Sequence, residues 1–147
     1  KRQVKSFLSD TSSFSPEWSG SILRMLPESV RGAYPLLREH LRILSAGICI
    51  GEAKGKDFIP AEELALSTAL RPDAFPVADL DWDDAIRYLK KEALLLPAGT
   101  EKGYVLVRHK KFPLGFAKHL GNRANNLYPQ EWRIRTGYVP EQVKTFE

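Results

Sequence analysis

A single cysteine, Cys49, stands among the 147 residues of this chain. That excludes an internal disulfide and any zinc cage built from cysteines, and it fits a reducing compartment. The surrounding stretch Ala46-Gly47-Ile48-Cys49-Ile50-Gly51 is apolar, a core setting rather than that of an activated nucleophile. Long apolar runs are missing too: none reaches the roughly twenty residues of a membrane-spanning helix. No charged leader with an apolar stretch and a small-residue cleavage site opens the chain, so the expected location is the cytoplasm. The first residue is Lys1 rather than Met, which points to a piece of a longer protein. No Gly-rich loop follows a strand-like run, so the dinucleotide and P-loop patterns are absent. His40, His109 and His119 lack the i, i+4 spacing of helical metal ligands, and no metal is expected. The acidic run 79–84, Asp-Leu-Asp-Trp-Asp-Asp, lacks the Gly and closing Glu of a calcium loop and is better explained by helix capping.

What is present is unevenly charged. The net charge of +4 conceals an acidic middle, residues 61–101, with four bases against nine acids. Residues 102–135 hold eight bases (Lys102, Arg108, Lys110, Lys111, Lys118, Arg123, Arg133, Arg135) and the single acid Glu131. Positive charge pooled in this way suits a polyanionic partner.

Local patterns place these segments on short elements. Residues 1–18 are polar and Ser-rich and are expected to form a loosely held arm. Ser21–Leu26 suggests a short strand, and Leu37, Leu41 and Leu44 fall at helical intervals. Two apolar runs flank Gly55, the pattern of a hairpin whose turn needs a positive φ. Pro60 followed by Glu62 and Glu63 predicts a short helix over 61–68. The clearest helix begins at Asp81, a capping residue, with Trp82, Ala85, Ile86 and Leu89 on one stripe and Lys90 and Lys91 at its end. Tyr104-Val-Leu-Val-Arg108 and Phe112-Pro-Leu-Gly-Phe-Ala-Lys118 are expected to be adjacent antiparallel strands turning at His109-Lys110-Lys111. Short strands interleaved with short helices predict a mixed α+β domain with a small curved sheet or pseudo-barrel.

The stretch from Pro113 to Arg135 combines three kinds of side chain that suit single-stranded RNA. Cations suit phosphate, carboxamides suit base edges or ribose, and aromatic rings suit stacking. Lys118, Arg123, Arg133 and Arg135 are the first kind, Asn122, Asn125 and Asn126 the second, and Phe116, Tyr128 and Trp132 the third. With the bases upstream, the candidate RNA contacts are Arg108, Lys110, Lys111, Lys118, Asn122, Arg123, Asn125, Asn126, Tyr128, Arg133 and Arg135. The competing assignment puts Phe116 and Trp132 in the core and uses the Asn side chains to cap turns.

The same stretch, with Gly115, Lys118, Gly121, Asn126, Tyr128, Pro129 and Arg133 in place, resembles the C-terminal PUA-like RNA-binding domain of the RsmF-type branch of the Sun family of RNA cytosine-5 methyltransferases. Gly47, Gly51, Phe58 and Pro60 extend the likeness upstream, and Trp132 departs from the usual Leu. The resemblance implies an arm or linker-domain end over 1–35, a PUA-like RNA-binding domain over 36–135 and a tail over 136–147. It also implies rRNA as partner, an N-terminal methyltransferase domain of the same protein, and S-adenosylmethionine as cofactor of the full-length enzyme but of nothing in this chain. Family catalysis uses two cysteines; with Cys49 alone, this chain is not expected to be an enzyme by itself. The alternative is a protein-interaction module that docks on its parent enzyme without touching RNA.

Overall fold

A computed structural model describes residues 6–137. The tail expected over 136–147 therefore lies outside the described residues beyond Gly137. The chain divides between Phe75 and Pro76 into two compact units. Each has its own four-stranded sheet, and among the described residues neither sheet closes into a barrel. The mixed α+β class expected from the sequence is the one observed.

The first unit is an antiparallel meander, β1 (Phe14–Ser19), β2 (Ile22–Pro27), β3 (Ile48–Lys54) and β4 (Asp57–Pro60), in that spatial order. Short helices α1 (Glu28–Arg31) and α2 (Tyr34–His40) link β2 to β3, and α3 (Glu62–Ala65) follows β4. Leu23, Met25, Leu26, Ile50 and Leu64 are its buried centre. The β3–β4 turn carries Gly55 at φ 63°, the conformation the sequence demanded. Gly47 and Gly51 answer a different need, close backbone approach. A Cβ at Gly47 would stand 2.2 Å from the Met25 carbonyl oxygen, and one at Gly51 would stand 2.2 Å from that of Ile59.

One local expectation fails here. Within the polar N-terminal stretch, residues 7–9 are not loose: Arg71 and Ser9 amides bond to the Phe7 and Ala69 carbonyls, and the Phe7 ring lies 4.7 Å from that of Phe75. Its β1 was hidden by Pro16, which an edge strand tolerates because the missing N–H can face outward. The short helix that Leu37, Leu41 and Leu44 suggest is present as α2, but it ends before the last two of them. Leu41 and Leu44 are 60% and 84% exposed. Cys49 is half-buried, and burial raises its thiol pKa, which disfavours the nucleophilic thiolate.

In the second unit β5 (Val77–Asp79) runs parallel to β6 (Gly103–His109), which pairs antiparallel with β7 (Phe112–His119), and β7 in turn with β8 (Ala124–Asn126). A parallel neighbour requires a crossover, supplied by α4 (Trp82–Leu89). Asp81 caps α4 by accepting from the Asp84 amide at 2.9 Å, as its sequence predicts. Tyr88, outside the predicted stripe, is the helix's most buried side chain, and its hydroxyl donates to the Phe116 carbonyl at 3.0 Å. Val105, Val107, Phe116 and Ala117 complete this core. No helix among the described residues is long and apolar enough to cross a membrane.

Candidate nucleic-acid interface

The end of α4 dictates what surrounds it. A helix leaves its last carbonyls without intrahelical donors, and their summed dipoles make that end negative. Here the chain turns through Lys91 at φ 64°, with the Lys91 amide donating to the Tyr88 carbonyl and the Glu92 amide to that of Arg87. These are the paired bonds of a Schellman cap, with lysine where glycine is usual. The Asn126 carboxamide, brought up by β8, donates to the carbonyls of Tyr88 at 2.8 Å and Glu92 at 3.1 Å. Its oxygen accepts from the Tyr128 amide at 2.9 Å. Lys91 Nζ donates to the Tyr128 carbonyl, the Tyr128 ring packs edge-on against Tyr88 at 5.4 Å, and the Ile134 amide reaches the Leu89 carbonyl. Asn126 and Tyr128 thus act as a clasp between the C-terminal segment and α4.

Cations gather around this clasp. Arg87, Lys91 and Arg123, with Asn125 and Asn126, line a groove of about 830 Å³ between the end of α4 and β8. A neighbouring hollow of about 300 Å³ carries Lys90, Arg133 and Arg135, and a third of about 220 Å³ brings Arg87 and Lys90 together with Asp83. Glu92 lines all three, and Asp84 lies 3.6 Å from Arg87, so bases outnumber acids around the groove. Arg87 lies in the last turn of α4, Lys90 caps it and Lys91 takes the left-handed turn beyond it, so the helix end itself gathers three bases from a segment that is acidic in composition.

The other expected contacts are distributed as follows. Asn122 adjoins Arg123 in the exposed β7–β8 loop. Lys118 is the register partner of Asn125, and its Nζ sits 4.9 Å over the Tyr104 ring. Lys110 and Lys111 lie at the opposite end of the eight-residue β7, about 20 Å away at about 3.3 Å per residue. Arg108 is engaged by Asp79 through bonds of 2.6 and 2.7 Å. The positive charge therefore forms one cluster at the end of α4 and a separate pair at the β6–β7 turn. Among the aromatic candidates, Phe116 is 1% exposed and belongs to the core, while Trp132 is 51% exposed with its ring edge-on to Tyr128.

The Arg108 hydrogen bonds hold the Asp79 carboxyl below its ordinary pKa, and the same contact raises that of Arg108. A carboxylate lowered in the folded state stabilises above the ordinary range and loses that effect as pH falls through the depressed value. Urea titrations of wild type and Asp79→Asn should therefore differ near neutrality, by no more than about 1 kcal/mol for so exposed a pair, and converge in acid. A difference that persists unchanged into acid would assign the effect to something other than this ion pair.

Residues 75–134 match the family model described as the methyltransferase RsmF PUA domain. The match begins where the second unit begins and includes the clasp and every base of the cation cluster but Arg135. Among curated proteins, the chain is 32% identical over 110 residues to ribosomal RNA small subunit methyltransferase F of Shewanella baltica (strain OS195), covering 71% of this chain and 22% of that protein. It is also 32% identical over 92 residues to the protein of the same description from Shewanella pealeana, covering 62% and 18%. The chain thus spans about a fifth of the length of the curated relatives it matches. The family resemblance drawn from the sequence stands on these matches.

Proposed function

We propose that this chain is the C-terminal RNA-binding region of an S-adenosylmethionine-dependent rRNA cytosine-5 methyltransferase of the cytoplasm. In this reading it holds rRNA for a catalytic domain elsewhere in the same protein, raising that domain's effective concentration at its target. The observation that carries the reading is the convergence of Arg87, Lys90, Lys91, Arg123, Arg133 and Arg135 around the end of α4, within the unit matched by the PUA-domain model. Arg123 and Arg133 grip phosphates, Asn125 faces the nucleotide, and Asn126 and Tyr128 hold the surface in shape. No residue of this chain is assigned to the methyl donor.

Binding measured against salt concentration tests this. About four phosphate contacts give a log–log slope near −3 for a single strand, and Arg123→Ala with Arg133→Ala should make it shallower by about 1.4. A flat salt response, or a slope unmoved by the double substitution, would reject the phosphate claim.

Docking on the parent enzyme has one observation in its favour: Leu36, Leu41 and Leu44 of the first unit are 60%, 60% and 84% exposed. Under docking through these leucines, Leu41→Ser with Leu44→Ser loosens domain association, while Lys118→Ala with Arg123→Ala leaves RNA affinity unchanged.

A further inference from the structure

We infer that the β6–β7 hairpin tip is a second nucleic-acid contact, at which Phe112 stacks on an unpaired base. The inference rests on the proposal that this chain binds RNA. β6 and β7 are joined by two residues, Lys110 at φ 47° and Lys111 at φ 72°, between the paired His109 and Phe112. Positive φ at both central positions defines a type I′ turn, for which Asn-Gly is the economical sequence because larger side chains crowd the backbone there. Two lysines occupy it instead. Neither ammonium has a hydrogen bond or ion pair among the described residues, and both side chains are exposed.

The next residue sharpens the argument. Phe112 is 74% exposed, more than Trp18 or Trp132, although it opens a strand whose Phe116 is almost wholly buried. Register sets it opposite His109, whose ring stands edge-on to Trp82 at 5.8 Å. An open ring face beside two unpaired cations is the combination that binds single strands: the ring stacks on any base and the cations meet the flanking phosphates. A duplex buries its base faces, so the ligand class is unpaired RNA.

The tip and the α4 groove can be tested separately on the 147-residue chain, using a single-stranded oligoribonucleotide carrying 2-aminopurine and the same sequence in a duplex. Phe112→Ala should weaken single-strand binding about tenfold and abolish fluorescence quenching, leaving the salt slope and duplex affinity unchanged. Phe112→Trp should restore quenching. Lys110→Ser with Lys111→Ser should make the slope shallower by about 1.4. Unchanged single-strand affinity in Phe112→Ala, or an equal loss on duplex, overturns the inference. If Arg123→Ala with Arg133→Ala has no effect while Phe112→Ala does, the groove falls and the tip stands. The reverse pattern rejects the tip alone, and a chain that binds no RNA rejects both.

Discussion

Asn126→Asp should destabilise the second unit by about 2–4 kcal/mol, enough to remove a large part of the stability of a domain this size. The substitution is isosteric and leaves packing unchanged, so the cost is electrical and directional. The carboxamide now donates to the Tyr88 and Glu92 carbonyls and accepts from the Tyr128 amide. A carboxylate keeps only the last of these, and it turns a negative oxygen toward two carbonyls at the negative end of α4. The Tyr88 carbonyl keeps the Lys91 amide as donor, whereas the Glu92 carbonyl loses its donor, at about 1–3 kcal/mol, and both oxygens then face a charge. The introduced carboxyl should be protonated more readily in the folded state, so the deficit shrinks as pH falls and grows as pH rises. Urea unfolding near pH 7 is the measurement. A loss below about 1 kcal/mol would mean that the clasp contributes less than one ordinary hydrogen bond.

Gly47→Ala should do comparable harm to the first unit. Its φ of 64° disfavours any L side chain, and the added carbon would lie 2.2 Å from the Met25 carbonyl oxygen and 2.9 Å from its carbon. Those are backbone atoms of β2, so relief requires moving a strand that carries the buried Leu23, Met25 and Leu26. Strain of this kind costs about 1–3 kcal/mol before the overlap is counted. A melting temperature lowered by about ten degrees or more is expected. Gly55→Ala is the control: its φ is similar at 63°, but nothing lies within 4 Å of the added carbon. Equal losses at the two positions would show that conformation alone, and not the approach of β2, sets the requirement for glycine.

Much of this fold could be read because its signals were local. The Asp81 cap, the Gly55 turn and the adjacent β6 and β7 each depend on a few neighbouring residues. β5 and β8, of three residues each, are too short to show a period. β1 was concealed by Pro16 and its polar neighbours. Tyr88 was passed over because a helix lying on a sheet buries a broader face than one narrow stripe.

The site was legible in composition more than in role. A basic, Asn-rich C-terminal segment was visible, yet a carboxamide serves a nucleotide or a helix end equally well, and only the fold shows that Asn126 serves the helix. Arg108 was equally ambiguous, since its partner Asp79 lies 29 positions away. The cations at the end of α4 carry no local signal, because their companions in space are distant along the chain.

The clasp at the end of α4 also changes what an approaching anion would meet. Bare carbonyl oxygens there would repel phosphate from the hollow that the surrounding arginines and lysines make attractive. With Asn126 and the turn through Lys91 bonding to them, fewer bare carbonyl oxygens face the groove. Under the proposed function, a variant that bared these carbonyls while remaining folded would hold RNA more weakly despite retaining every base.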